Sequence, residues 1–235
     1  MKKNFKTWNS DEDQAWQLLA ERQLPNLQNW ASKLWLDGFR DLRMSETAVP
    51  NFGEIDKRLR QVSNWKLVPT SQVYADGETW FQTLKRHELM VSDYIRPKDS
   101  LGYTPLPDVF HDAFGHVPFF TDRRFGRMVS VFTARILTAE PQERQALGRV
   151  WWYTVEFGLI REAGQLKALG AGLISSFAEL DRVFNHQVEL EPFNPDRIAE
   201  FENSPHEFHQ RLFVLESMDD LENCIKNWTI QTERS

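Results

Sequence analysis

The sequence predicts a mainly α-helical domain with a few short strands, an α+β fold. The chain has 235 residues, which suits one domain with a sizeable core. Most segments place apolar residues at helical spacing, and only a few short runs have the composition of strands. Neither an internal repeat nor a low-complexity linker divides the chain. We therefore expect residues 1–235 to form a single domain.

Charge, hydropathy and cysteine content limit the classes of partner and of metal site that the chain can have. A formal net charge of −6, without any block of five basic residues, argues against nucleic acids and anionic membranes. The first residues lack the apolar run of a secretory signal, and no segment approaches the length of a membrane span. Cys224 is the only cysteine, which excludes a disulfide framework and a multi-cysteine zinc site. We expect a cytoplasmic protein, monomeric or a small homo-oligomer, that binds neither nucleic acid nor membrane.

The first half of the chain alternates predicted helices with short turns and strands. A pattern close to a capping box, Ser10 with Asp13, begins the first helix, and Pro25 is expected to end it. Residues 28–42 are helical again, with Gly38 as a point of interruption. The elements that follow are a helix at 50–62 with Asn51 near its start, an extended segment at 65–69, a helix at 77–87, a strand at 89–95 and a proline-rich loop at 96–107.

The second half is predicted to be mostly helical. Pro141 lies at the start of a long helix that extends to Glu162. Ser217 is the expected N-cap of the closing helix, with Asp220 in its first turn. The other predicted elements are a helix at 123–135, a glycine-rich turn leading into a helix at 169–184, a helix at 195–204 and a strand at 211–216.

Two histidines, His111 and His116, lie five residues apart in an apolar stretch. Such histidines are more often hydrogen-bonded core residues than ligands. On an unbroken α-helix, five residues turn about 500° and leave the rings about 140° apart, so they could not share a metal ion. Gly115 can adopt a left-handed conformation and end the helix expected at 108–114, and Pro118 opposes continuation. His116 would then swing back toward His111.

Glu156 offers a third ligand. Its neighbours at helical spacing are apolar, and no Lys or Arg lies three or four residues away. A carboxylate on so apolar a face does not stay ionised without a partner, and a metal ion would supply one. A protonated or distantly paired glutamate is the less natural alternative.

The chemistry of this ligand set leaves two metals open. Zinc hydrolases use two histidines and a carboxylate with a bound water, and Asp112 would then be the general base. Non-haem iron oxygenases use the same three ligands as a facial triad. The segment "HEFH" at 206–209 does not have the spacing of the HExxH zinc motif and is expected on the surface. A non-catalytic protein that binds an aromatic ligand is a third alternative, against which the apolar setting of Glu156 argues.

Several long motifs occur in a fixed order: "PNFGEIDKRLR", "NWKLVP", "YIRP…YTPLPD", "PDVFHDAFGHVPFF", "WYTVEFGLI" and "LGAGLISSFAEL". Together they resemble the pterin-dependent aromatic amino acid hydroxylases, particularly the bacterial phenylalanine 4-hydroxylases. The resemblance runs from about residue 16 to residue 228 and implies the catalytic fold of that family, here standing alone as in bacteria. It also implies iron(II), a tetrahydropterin and dioxygen, with His111, His116 and Glu156 as the iron ligands.

The resemblance also implies further site residues. Trp80 falls where the family has a phenylalanine that stacks on the pterin, and Asp112 and Trp151 fall on positions near the pterin. Arg96 falls on the arginine that binds the substrate carboxylate, for which a planar guanidinium is chemically suited. The remaining positions implied to bind the amino acid are Thr104, Pro107, Trp152, Gly172 and Ser175.

The expected reaction is hydroxylation of L-phenylalanine to L-tyrosine. On helical spacing Trp152 shares a face with Glu156, one turn away, and its volume leaves little room for an indole ring. A buried tyrosine hydroxyl would lack an evident polar partner, which costs about 1–3 kcal/mol. The alternatives that stay open are hydroxylation of tryptophan, attack at another ring position, and the zinc hydrolase.

Overall fold

Helices make up most of the described chain, and short strands form two small sheets, as the sequence predicts. The structure is a computed structural model that describes residues 4–72, 76–99, 101–102, 107–202, 204 and 206–229. None of the helices in those ranges is long and apolar enough to span a membrane. The α-helices are α1 (Ser10–Trp30), α2 (Lys33–Leu42), α3 (Phe52–Val62), α4 (Gly77–Lys85), α5 (Arg123–Thr138), α6 (Pro141–Trp151), α7 (Ala171–Ser175), α8 (Phe177–Phe184), α9 (Pro195–Ala199) and α10 (Met218–Asn227).

The strands pair in two separate sheets. They are β1 (Lys66–Thr70), β2 (Glu88–Ser92), β3 (Leu159–Glu162), β4 (Gln165–Ala168), β5 (Glu189–Pro192) and β6 (Arg211–Leu215). Strands β1 and β2 form a parallel pair, and the other four form a sheet in the order β4-β3-β6-β5. Within that sheet only the β3–β4 pair is antiparallel.

Pro25 does not end the first helix, contrary to the expectation. Helix α1 continues through it to Trp30. Proline removes one backbone donor, but the buried side chains on both sides of it, Gln23 and Leu27, hold the two halves against the core. The N-cap is also shifted, because Asn9 pairs with Glu12 in the capping box in place of Ser10 with Asp13.

Gly38 does not interrupt α2 either. A Cβ atom at this position would lie 1.9 Å from the carbonyl oxygen of Pro118. Glycine therefore lets α2 contact the short 3₁₀ segment Val117–Thr121, which directly follows the second histidine of the predicted metal site. The residue marks a close approach between two backbones and not a helix end.

The long helix predicted to reach Glu162 ends earlier. Helix α6 gives way after Trp151 to a π-helical segment, Trp152–Glu156, and the last four residues of the predicted helix form β3. Strands β4 and β5 were not predicted. The caps at Asn51 and Ser217 are confirmed, since the Asn51 side chain accepts from two backbone N–H groups of α3 and Asp220 accepts from the backbone N–H of Ser217.

Buried aromatic rings join the first two helices to the segment that carries the histidines. Phe110 and Phe114 stack with their ring centroids 4.3 Å apart, and Trp16 of α1 packs edge-on against Phe110 at 5.1 Å. Trp35 of α2 packs against Phe114 at 5.1 Å and donates its indole N–H to the Phe114 carbonyl oxygen. This packing holds the backbone on which the site is built.

Candidate metal centre

The two histidines meet because the chain between them is a π-helix. Residues Phe110–His116 form i to i+5 hydrogen bonds, which bring residues five apart onto one face. The Nε2 atoms of His111 and His116 lie 3.2 Å apart. The predicted helix end at Gly115 is therefore wrong. Among the described residues, only Gly164 of the glycines has a positive φ, and the chain continues past His116 as a 3₁₀ turn that contains Pro118.

Gly115 is needed for a different reason. A Cβ atom there would lie 2.8 Å from the carbonyl oxygen of Ala171, closer than real Cβ contacts. Helix α7 thus packs directly on the backbone of the π-helix. The small residue permits this contact, which supports the wide helix turn that aligns the two rings.

Glu156 lies at the end of the second π-helical segment. The backbone N–H of Phe157 donates to the carbonyl oxygen of Trp152, five residues earlier, at 2.8 Å. The same five-residue spacing places Trp151 beside the ligand, and its indole N–H donates to Oε1 of Glu156 at 2.9 Å. The other oxygen, Oε2, faces the histidines, at 3.2 Å from Nε2 of His116 and 3.6 Å from Nε2 of His111.

These distances fit a single metal ion. Three ligand atoms at about 2.1 Å from one ion would be about 3.0 Å apart at right angles and about 3.4 Å apart in a tetrahedron. Two of the three separations, both 3.2 Å, lie within that range, and the third, 3.6 Å, lies slightly above it. No second group of three histidine, cysteine or carboxylate side chains comes together in this way within the described ranges. The geometry alone does not choose between iron and zinc.

Protonation at the site favours metal binding at two of the three ligands. Burial, aided by the nearby His116 ring, lowers the pKa of His111 to about 4, so this ring is neutral near pH 7. Burial acts to raise the pKa of Glu156, but His116, His111 and the Trp151 N–H outweigh it and lower that pKa to about 2. Burial also opposes the charged form of His116, yet Glu156 raises its pKa. Nε2 of His116 must be free of a proton to bind a metal ion, so metal binding competes with protonation at this ring.

A hydroxyl group sets the tautomer of His111. Oγ of Ser175 donates to the carbonyl oxygen of Ala171 at 2.8 Å. Its lone pair is then available to Nδ1 of His111, 2.9 Å away. The hydrogen-bond network thus assigns the proton of His111 to Nδ1 and leaves Nε2 free to bind the metal. Sequence comparison alone had assigned Ser175 to the amino acid substrate, and its contact with the ligand was not foreseen.

Arg96 is buried and already engaged. Its Nε and one terminal nitrogen donate to the two carboxylate oxygens of Asp108, at 2.7 and 2.9 Å, and the other terminal nitrogen donates to the Gly102 carbonyl oxygen. Burial acts to raise the pKa of Asp108, but the Arg96 guanidinium outweighs it and lowers that pKa. Asp108 also accepts from the backbone N–H of His111. Two of the five N–H donors of Arg96 have no partner among the described residues.

Asp108 is thus a site residue that sequence reasoning missed. It is fully buried, and it links Arg96 to the first turn of the π-helix. The available signal was its position three residues before His111, the spacing of a side chain that caps a helix.

The residues assigned to the pterin surround the metal ligands on one side. Trp80 is half-buried, with its ring centroid 5.7 Å from that of His116. Trp151 is buried between Phe81 and Phe132, with edge-on ring contacts at 5.1 and 5.3 Å. Asp112 accepts from the backbone N–H of Ser92, and burial raises its pKa to about 7.

Trp151, and not Trp152, is the tryptophan that hydrogen-bonds Glu156. Trp152 begins the same π-helical segment and has partners of its own. Trp152 is half-buried, packs against Phe157 at 4.8 Å and donates its indole N–H to His209. The "HEFH" segment is therefore not wholly on the surface, because His209 is only 8% exposed while His206 is exposed.

Three other residues are implied to bind the amino acid, and the structure describes two of them. Gly172 packs on the second π-helical segment, where a Cβ atom would lie 2.5 Å from the Phe157 ring and 2.9 Å from the Glu156 carbonyl oxygen. Pro107 is half-buried just before Asp108. Thr104 lies outside the described residues.

Comparison with known proteins agrees with this arrangement. The family model of the biopterin-dependent aromatic amino acid hydroxylases matches residues 4–235. A phenylalanine-4-hydroxylase from Mesorhizobium japonicum is 32% identical over 223 residues, covering 92% of this chain and 80% of the relative. The tyrosine 3-monooxygenase of Rattus norvegicus is 30% identical over 203 residues, covering 85% of this chain and 41% of the relative.

A solved structure shows the same fold. The phenylalanine hydroxylase of Chromobacterium violaceum, with bound iron(III) and the oxidised cofactor 7,8-dihydrobiopterin, superposes with a TM-score of 0.87. The two chains are 28% identical, and the match covers 93% of this chain and 80% of the other.

Proposed function

Because the chain belongs to the biopterin-dependent aromatic amino acid hydroxylases, we propose that it hydroxylates the ring of L-phenylalanine to L-tyrosine. The observation that carries the proposal is the set of His111, His116 and Glu156, whose ligand atoms converge on one point. The family match removes the basis for the zinc hydrolase and for a non-catalytic binding protein.

Iron(II) and a tetrahydropterin, when bound, would activate dioxygen: the pterin would supply two electrons, and the ring would receive one of the two oxygen atoms. The chain's own residues hold the metal and exclude water. Two histidines and one carboxylate leave coordination positions open on the iron. Trp151 holds the carboxylate of Glu156 through its second oxygen, and Ser175 orients His111. Ligands held in this way do not need to reorganise when the metal binds.

The pterin is proposed to lie beside Trp80, Trp151 and Asp112. The support is their grouping around His116 and Glu156, together with the half-buried indole of Trp80, which offers an accessible aromatic face. A tryptophan in place of a phenylalanine presents a larger face for stacking.

The amino acid is proposed to bind with its carboxylate at Arg96. Within the described ranges two N–H donors of this guanidinium have no partner, and its ion pair with Asp108 ties it to the turn that carries His111. Trp152, Pro107, Gly172, Ser175 and Thr104 are proposed to complete the pocket. Phenylalanine is favoured over tyrosine because the phenylalanine-4-hydroxylase relative matches over 80% of its length, and over tryptophan because Trp152 occupies volume.

Incubation with iron(II), tetrahydrobiopterin and each aromatic amino acid tests the function. We expect tyrosine from phenylalanine, identified by mass and retention time, only when iron and pterin are both present. Preferential hydroxylation of tryptophan in a competition assay would contradict the substrate assignment and leave the iron and pterin assignments standing. Product formed without pterin would contradict membership in this reaction class.

Three further expectations belong with this proposal. The single domain over residues 1–235 would appear as one cooperative unfolding transition. The monomeric or small oligomeric state would appear in sedimentation velocity. The cytoplasmic location would appear in cell fractionation.

A further inference from the structure

A buried hydrogen-bonded chain ends on Trp152. We propose that the pair Glu179–His209 is a positioning device that holds the indole of Trp152 and thereby sets the preference for phenylalanine over larger rings. The inference rests on the proposed function and names two residues to which no role in this reaction has been given above.

The geometry of the pair is that of a continuous chain. Glu179 of α8 is fully buried, and its Oε1 lies 2.8 Å from Nδ1 of His209. Nε2 of His209 lies 2.8 Å from Nε1 of Trp152. The backbone N–H of His209 donates to the same Oε1 at 3.2 Å, so the carboxylate holds both the ring and the backbone of this residue.

The direction of the chain follows from the donor that begins it. An indole N–H can only donate, so Nε2 of His209 accepts and carries no proton. The proton of the neutral ring is then on Nδ1, which donates to Glu179. The carboxylate thus fixes the tautomer of His209, and the tautomer leaves one lone pair directed at Trp152.

The setting of His209 holds the ring in place. Its centroid lies 4.2 Å from that of Phe157 and 5.9 Å from that of Tyr153. Phe157 directly follows the ligand Glu156, and Trp152 begins the π-helical segment that ends at this ligand. Arg182 donates to the carbonyl oxygen of His209 and so anchors its backbone as well.

Stability alone does not account for this pair. A buried carboxylate that is hydrogen-bonded to a neutral ring is costly, because it loses its hydration without gaining an opposite charge. Oε2 of Glu179 is buried without a hydrogen-bond partner among the described residues, which adds to the cost. Among the described residues, Trp152 is the only side chain outside the pair that hydrogen-bonds to the His209 ring.

Trp152 needs such an anchor. It is half-buried, so packing restrains only part of the indole, and rotation about its two side-chain torsions would change the volume of the proposed substrate pocket. A single hydrogen bond from the indole N–H selects one rotamer. When the Trp152 ring is held in that rotamer, it excludes an indole substrate. When the Trp152 ring is released, it no longer excludes one.

Two amide side chains at position 209 test the hydrogen bond to Glu179 and the hydrogen bond from Trp152 independently. His209→Gln places its amide oxygen near the position of Nε2 and keeps an acceptor for Trp152. His209→Asn is shorter, so it retains a donor for Glu179 and does not reach Trp152. His209→Leu removes both. His206→Leu is the matched control, because His206 is an exposed histidine of the same segment.

For each variant, kcat/KM is measured with phenylalanine and with tryptophan, together with bound iron and the KM for the pterin. We expect His209→Asn and His209→Leu to lower kcat/KM for phenylalanine about fivefold to tenfold, mainly through KM, and to narrow the phenylalanine-to-tryptophan ratio by a similar factor. His209→Gln and His206→Leu should stay within about twofold of wild type. Iron content and pterin KM should not change.

The outcomes are separable. Equal kcat/KM values for His209→Gln and His209→Asn, whether both native or both impaired, would overturn the positioning role. This comparison remains valid even if His209→Leu does not fold. Wild-type protein that makes no tyrosine from phenylalanine would contradict the proposed function before any variant is compared.

Discussion

The ligand atoms of His111, His116 and Glu156 each lie within 3.6 Å of the other two, so the loss of any one disrupts the set. His111→Ala and His116→Ala are each expected to lower bound iron from one equivalent to near zero and to abolish turnover. Iron is measured by metal analysis after gel filtration. His206→Ala, which removes an exposed histidine, is the control and should keep full iron. A double alanine variant that retains iron and activity would contradict the assignment.

Ser175 acts on the metal through His111. Removal of its hydroxyl in Ser175→Ala frees the ring to rotate and to place its proton on Nε2, so iron affinity should fall about 10-fold to 100-fold. Competition with a chelator measures this affinity. A variant with native iron affinity and a raised KM for phenylalanine would assign Ser175 to the substrate alone, as the family resemblance implies.

Arg96 holds both the turn before His111 and, in the proposed function, the substrate carboxylate. Arg96→Lys loses the two-pronged contact with Asp108, so kcat/KM for phenylalanine should fall at least about tenfold. Steady-state kinetics measure the effect. Arg86→Lys is the control, since Arg86 forms an exposed ion pair with Glu88. An unchanged specificity constant for Arg96→Lys would exclude a role in substrate binding.

The π-helix of residues Phe110–His116 depends on the close approach of α7. Gly115→Ala places a methyl group 2.8 Å from the Ala171 carbonyl oxygen. We expect a loss of about 1–3 kcal/mol in the free energy of unfolding, measured by urea titration, together with weaker iron binding. Gly148→Ala in α6 is the matched control. Apart from its chain neighbours and the backbone of its own helix, no described atom lies within 4 Å of the added methyl group, so the variant should be neutral or stabilising by up to about 1 kcal/mol.

The two π-helical segments follow one design. Each brings together two side chains that are five residues apart: His111 with His116, and Glu156 with Trp151, the last residue of α6. An α-helix would have separated both pairs. The geometry of the metal centre is therefore a property of these two elements rather than of loops.

The reactivity of the Cys224 thiol can be used to measure unfolding of the whole molecule. Its thiol is buried in α10, and burial raises its pKa to about 12. The reactive thiolate is therefore scarce in the folded protein at pH 8 and becomes common only as the pH nears that pKa. Native protein should not react with a thiol reagent within minutes at pH 8, whereas protein unfolded in urea should react at one thiol. The reaction is measured by the absorbance of the released chromophore. Rapid reaction of the native protein would show that α10 opens locally.

The sequence by itself determined the ligands and many of the helices. Glu156 was recognised because a carboxylate in so apolar a setting requires a partner, and Asn51 and Ser217 were recognised as caps because their donors and acceptors are local. The order of the long motifs determined the family, which the comparisons confirm.

How those residues meet could not be predicted from the sequence, because it involves contacts between distant segments. Helix α7 packs on the backbone of Gly115, within the i to i+5 segment, and residue spacing does not predict this contact. Residues 159–162 form a strand because β4 pairs with all four of them, and β6, more than 50 residues later, pairs with Leu159 and Ile160. The Glu179–His209–Trp152 chain joins three separate segments for the same physical reason: a buried polar group takes its partner from whatever the fold brings near.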